Sequence, residues 1–151
     1  MKTVVTRFSM LFLAAVFSTG VSLSVPGTAY AAACWDTGCR GVDPQASGCS
    51  GTGVTVETQP VNNPQGQTWG YVDLRYSNSC GANWSRTRSS QSVACAVGAT
   101  IYNNAPDSQP YVYQDGFLSY SYMLSGYSHA DSAYGFITCD YGGATGQTGW
   151  H

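Results

Sequence analysis

Lysine is missing beyond position 2, and charge of either sign is scarce. Charged residues make up 9% of the 151-residue chain, whose formal net charge is −2. A surface that tracks phosphates needs clustered cations. Only six basic residues exist here, two of them within the first seven positions, so nucleic acid is not an expected partner. There is no C-x2-C pair, and neither His129 nor His151 stands near a cysteine pair at finger spacing, so no structural zinc is expected. No G-x-S-x-G nucleophile elbow occurs. No stretch after Val25 approaches the ~20 apolar residues of a membrane span. No repeat recurs at a fixed period. No metal or cofactor is expected.

What is present first is an export signature. Lys2 and Arg7 open the chain, Phe8 to Val25 is mostly apolar, and Ala29-Tyr30-Ala31 is a small-residue cleavage pattern. Residues 1–31 therefore read as a signal peptide, and 32–151 as one secreted, extracellular domain. Ala31 stands three places before Cys34 where a lipoprotein has a large aliphatic residue, so contact with the membrane is expected only through the cleaved segment. The domain of 120 residues carries four arginines against eight carboxylates, a formal charge of −4.

All six cysteines fall in that domain: Cys34, Cys39, Cys49, Cys80, Cys95 and Cys139. An even count in an exported chain reads as three disulfides, whose connectivity spacing alone does not decide. Cys95 and Cys139 lie on core-facing sides of two expected strands and are expected to pair. For the other four the expectation is Cys34–Cys49 with Cys39–Cys80. Asp36 and Asp43 are too few carboxylates for a calcium loop; Asp43 is expected to cap its own turn.

Hydrophobic alternation marks the strands. Val54 and Val56 indicate a strand near 53–59. Pro60 to Gln67 reads as a loop. Val72, Leu74 and Tyr76 indicate a returning strand at 68–77, with Val56 opposite Val72 and Glu57 opposite Tyr71. Ser77, Asn78 and Ser79 are turn and N-cap residues. Cys80 and Trp84, four apart, suggest a short helix with Trp84 buried beside a disulfide. Val93 to Ile101 gives the clearest strand, 91–102. Asp115-Gly116 suggests a hairpin between 111–113 and 117–124. A last strand spans 134–140, and the Gly-rich tail 141–151 reads as loose. The expected fold is all-β or β-dominated: a small disulfide-stapled barrel or sandwich of about six strands with one short helix.

Cys39-x-Gly41-x-Asp43-Pro44, Gly48-Cys49, and Leu74-Arg75-Tyr76-Ser77 with Cys80-x-Ala82-x-Trp84-x-Arg86 are similar to the YjfA-like family of secreted Gram-positive proteins. A similar domain occurs in actinobacteria behind helix-turn-helix and membrane segments. The likeness is specific over 34–88 and looser afterwards. It implies an exported β-rich domain of unknown function and carries over no catalytic residue. Its motif residues are Asp43, Pro44, Arg75, Tyr76, Ser77, Trp84 and Arg86.

Three chemistries compete. His129 and Asp131 are neighbours in a loop, without the geometry a serine triad needs. Glu57, Arg75 and His129 match a small secreted ribonuclease or hydrolase by type and order. In the expected register, however, Glu57 and Arg75 lie roughly 13 Å apart along the sheet, and Arg75 pairs more simply with Asp73. Tyrosines fit a binding surface better: Tyr111, Tyr113, Tyr120, Tyr122 and Tyr127 offer flat faces and hydroxyls to a sugar or a protein. The Asn83-Trp84-Ser85 sequon falls where Trp84 is expected to be inward. The reading is a non-catalytic extracellular domain that binds an envelope glycan or a protein partner, with the Glu57, Arg75 and His129 hydrolase as the alternative.

Overall fold

The computed structural model describes residues 33–104, 109, 112–127 and 129–151. The signal-peptide assignment and Tyr111 lie outside these residues. Among them the chain forms nine antiparallel strands: β1 Val54–Asn62, β2 Thr68–Ser77, β3 Ala82–Ser89, β4 Cys95–Asn103, β5 Val112–Gly116, β6 Leu118–Tyr120, β7 Leu124–Ser125, β8 Asp131–Cys139 and β9 Gly142–Gln147. The sheet order is β5-β4-β8-β9-β1-β2-β3-β6, with β7 pairing β3. The sheet curls into a half-barrel that brings β2 and β3 across from β8. The β-dominated, disulfide-stapled class is as expected; the strand count is higher.

The expected helix at 80–84 is instead a turn followed by a strand. Gly81 takes φ 59°, and its N–H bonds the Ser77 carbonyl at 2.8 Å. This reverses the chain, and β3 then runs back along β2, with Ala82 opposite Ser77 and Arg88 opposite Tyr71. Cys80 and Trp84 still end in one buried cluster, as a strand-based arrangement rather than a helical one.

The hairpin of β1 and β2 also differs. β1 continues through Pro60 to Asn62, because Asn63 closes a tight loop: its Oδ1 accepts from the Gln65 N–H at 3.1 Å and the Gln67 N–H at 2.8 Å. A bulge at Val56 shifts the register, so Glu57 faces Leu74 and Thr55 faces Arg75. The expected hairpin at Asp115-Gly116 does not form. β5 pairs β4 and β6 pairs β3, so the chain crosses from one end of the sheet to the other there. The Ser119 hydroxyl donates to the Val112 carbonyl at 2.9 Å across that seam. The tail is a strand, not a loose end. β9 pairs β8 from Gly142 to Gln147, and beyond it His151 bonds the Asp131 backbone in both directions, at 2.8 and 3.1 Å.

Two cores follow from the two faces of β2 and β3. Inside the curl, Val61, Val72, Leu74, Val97, Ile101 and Ile137 pack with the Cys95–Cys139 bridge. Outside it, Trp84, Ala82 and Met123 pack under the cysteine-rich lead-in, where Cys39, Cys49 and Cys80 are fully buried. The lead-in has two short 3-10 turns, Asp36–Cys39 and Cys49–Thr52. The Asp43 carboxylate accepts from the Gln45 N–H at 2.7 Å and caps its own turn.

The bridges are Cys34–Cys39, Cys49–Cys80 and Cys95–Cys139. The expected pairing within 34–80 is therefore corrected. The two bridges there lie side by side, with Cys34 Sγ 3.9 Å from Cys49 Sγ. Spacing does not separate two pairings this close.

Candidate functional site

At one end of the half-barrel is a cavity of about 200 Å³ lined by Val56, Leu74, Tyr76, Asn83, Gly126 and His151. Larger hollows exist. One of about 490 Å³ surrounds the Cys95–Cys139 bridge and has no aromatic wall. One of about 360 Å³ lies beside the Trp69–Tyr141 ring pair and the 63–67 loop. At the smaller cavity a phenol, a buried amide and a carboxylate-bound imidazole converge beside an exposed aromatic pair, which is what a ligand site requires.

The floor comes from β2, whose even positions Leu74 and Tyr76 face inward. β3 contributes Asn83, 6% exposed. Its amide N–H donates to the buried Asp131 carboxylate, so its carbonyl oxygen remains the acceptor for a ligand. The Asp131 backbone also holds His151, so one residue positions both polar walls. The Asn83 sequon is thus buried against Asp131.

The lip, next to the lining and not part of it, is aromatic: Tyr127 follows the lining residue Gly126 and meets the lining residue Tyr76. Trp35 and Tyr127 are 55% and 56% exposed, and their rings meet at 5.5 Å, tilted by 40°. Tyr127 also hydrogen-bonds Tyr76, which raises the Tyr76 phenol above its ordinary value, with burial adding to the effect. Tyr76 therefore stays neutral. Asp36, at φ 46°, turns the chain directly after Trp35. It accepts from the Ser125 hydroxyl, and its N–H donates to the Cys80 carbonyl at 2.7 Å. Asp is among the few residues that tolerate that conformation.

Glu57 braces the far wall. Its carboxylate accepts from Gln59 Nε2 at 2.6 Å and the Gly149 N–H at 2.7 Å, and lies 2.6 Å from His151 Nε2. The Gln59 bond, then those of His151 and Gly149, hold Glu57 below its ordinary pKa despite partial burial.

The residues singled out from sequence are placed as follows. Glu57 meets His151, not His129, which is exposed between β7 and β8. Arg75 faces away, donating to Thr55 and to the Gly53 carbonyl, with its guanidinium 5.9 Å from the Trp84 ring. The Glu57, Arg75 and His129 constellation is not assembled. Asp73 pairs with Arg86 and Arg88, where Arg75 had been the expected partner. Of the tyrosines, Tyr127 adjoins the cavity through Tyr76 without lining it. Tyr113 packs on Phe136 at 5.0 Å, Tyr120 joins the outer core, and Tyr122 is exposed. The sulfurs of Cys34, Cys39 and Cys49 lie within 4.8 Å of one another, but each is spent in a bridge and is no thiolate ligand. Trp35, Asn83 and His151 were missed. A tryptophan beside a cysteine in a turn-rich lead-in was the one available signal, for Trp35.

Residues 37–134 match a family described as a protein of unknown function (DUF2690). The chain belongs to that family. No curated protein and no solved structure matches. The DUF2690 match takes in Tyr76, Asn83, Tyr127 and Asp131 and stops before His151. Among the described residues no helix is long and apolar enough to cross a membrane. Three disulfides suit an oxidising compartment.

Proposed function

We propose that this DUF2690 protein is an exported, non-catalytic extracellular domain that binds a glycan of the cell envelope at the mouth of the half-barrel. The assignment to YjfA-like, actinobacterial secreted proteins rests on the motif residues of 34–88, and export rests on the signature of residues 1–31. The observation that carries the glycan reading is the exposed Trp35–Tyr127 pair at the lip of a cavity walled by Asn83, Tyr76 and His151. A sugar ring presents an apolar face and a rim of hydroxyls. The tilted rings supply flat apolar contact, and the amide, phenol and imidazole supply hydrogen bonds. Glu57 and Asp131 hold those polar groups in place.

Calorimetric titration with soluble N-acetylglucosamine oligomers and with peptidoglycan fragments tests this. Binding that is abolished in the Trp35→Ala, Tyr127→Ala double variant supports it. No binding by the unaltered protein, or equal binding by the double variant, overturns it.

A hydrolytic reading is favoured by one contact, Glu57 to His151, which orients an imidazole beside a cavity as a general base is oriented. It uses His151 in place of His129 and leaves Arg75 out. Turnover of glycan or ester substrates that His151→Ala abolishes would favour it over binding alone.

A further inference from the structure

Three of the four arginines beyond Arg7 lie on one outward face of β2 and β3. Asp73 sits opposite Arg86, Tyr71 opposite Arg88, and Arg75 opposite Trp84, and facing residues share a face. This face is separate from the cavity, which Leu74 and Tyr76 address from the other side of β2.

At its centre is one fully buried carboxylate, Asp73. It accepts from the Thr58 hydroxyl at 2.7 Å, from Arg86 Nε at 2.8 Å, and from Arg88 Nε and Nη2, both at 2.9 Å. Three cations against one carboxylate leave a surplus of +2 on a chain whose formal charge is −2. One arginine would have satisfied Asp73. The Arg86 and Arg88 side chains remain 23% and 44% exposed. Neither Nη1 has an acceptor among the described residues. Asp73 fixes both guanidinium groups, so little side-chain freedom is left to lose on binding.

The surroundings are apolar and exposed. Tyr71, 43% exposed, lies under the Arg88 guanidinium at 5.7 Å. Leu118, directly opposite Arg88 on β6, is 38% exposed, and Phe117 beside it is 50% exposed. Arginine and tyrosine with aliphatic neighbours on a sheet face, and no lysine, is the composition of a protein-binding surface. Small ligands take concave sites.

We propose that the outward face of β2, β3 and β6 docks an acidic segment of a protein partner, whose carboxylates meet Arg86 and Arg88 and whose apolar side chains cover Tyr71 and Leu118. The surplus charge supplies the complementarity and the apolar rim supplies burial. The proposal does not depend on the glycan reading.

The probe is the random copolymer poly(Glu,Tyr), an acidic peptide with aromatic side chains, measured on the purified protein by fluorescence anisotropy at low and high salt. Binding should weaken with salt. It should fall by roughly tenfold in Arg88→Gln and again in Leu118→Ser. Arg40→Gln, which removes equal charge from the lead-in, should leave it unchanged. Leu118→Ser removes none of the hydrogen bonds of the Asp73 cluster and keeps the test decisive if Arg88→Gln does not fold. Absence of binding, equal loss in Arg40→Gln, or polygalacturonate binding as tightly as the peptide would overturn the proposal; the last result would assign the face to acidic polysaccharide.

Discussion

His151 Nε2 lies 2.6 Å from Glu57 Oε2, joining residues 94 positions apart. The contact anchors the segment after β9 to the bulged part of β1 and completes one wall of the cavity. The same segment is held from the other side by the Asp131 backbone. Removing either attachment should therefore loosen the wall without opening the core.

Acid is the simplest way to remove one. Glu57 is held below its ordinary carboxylate value by Gln59, His151 and Gly149. Burial pushes Asp73 up, but bonds from Arg88, Thr58 and Arg86 outweigh it and hold it low. A carboxyl with a depressed folded pKa adds stability that is present above its unfolded value and is lost as pH falls through the folded one. The stability curve should thus fall below the ordinary carboxylate range. Glu57→Gln should remove the acid sensitivity of Gly149 and His151 amide exchange while leaving the global transition to Asp73. Unchanged acid sensitivity of those amides in Glu57→Gln would refute the assignment.

Asp73→Asn tests the outward cluster. Removing a partner from a buried pair costs ~3–5 kcal/mol when the remaining charge is buried too. Here Arg86 and Arg88 are partly exposed and can be solvated, so the loss should be about 2–3 kcal/mol, in the range of bonds to charged groups. Urea unfolding at neutral pH measures it. A loss under ~0.5 kcal/mol would mean the cluster behaves as an ordinary surface pair.

Trp84 is fully buried in the outer core, and its indole N–H has no acceptor among the described residues. Trp84→Ala should cost roughly 3–5 kcal/mol. Trp84→Phe should cost much less, because it removes an unpaired donor along with some volume. Thermal melts of both variants check the ranking.

How far the fold could be read depended on what each strand buries. Val97, Ala99 and Ile101 alternate because they face an apolar core, so β4 was legible, as was the face that carries Cys95 to Cys139. β3 was not. Its inward residues Asn83, Ser85 and Thr87 are polar, the first two hydrogen-bonded inside the curl and the Thr87 hydroxyl without a partner among the described residues, so no apolar period marks it. β9 was hidden by its glycines. A Cβ on Gly146 would come 2.4 Å from the Pro60 carbonyl oxygen, so the strand needs glycine where composition suggests a loose tail. The site was legible only in pieces. Glu57, Tyr76 and Tyr127 stood out, but the pairing with His151 depends on β9, and the role of Trp35 depends on how the lead-in folds back.

The bridges make a ranked prediction. The loop closed is 44 residues for Cys95–Cys139, 31 for Cys49–Cys80 and 5 for Cys34–Cys39. The chain-entropy model gives roughly 4, 4 and 2 kcal/mol. Replacing Cys34 and Cys39 together by Ser should be the mildest double change. Non-reducing peptide maps should link Cys49 to Cys80. A Cys34–Cys49 peptide would restore the pairing expected from sequence.

Gly81 connects the fold to the lip of the cavity. It holds φ 59° in the turn before β3. An L residue there costs roughly 1–2 kcal/mol in backbone strain. Its Cβ would also stand 2.5 Å from Tyr127 Cε2, so the tyrosine ring must move. That ring is the one that touches Trp35 and bonds Tyr76. Gly81→Ala should therefore lower the melting temperature modestly and weaken glycan binding by more than the stability loss explains. Tyr127→Ala in the Gly81→Ala background should relieve the clash and recover part of the stability but none of the binding. If Gly81→Ala binds as well as the unaltered protein, Tyr127 has no part in the site and the aromatic lip is ordinary surface.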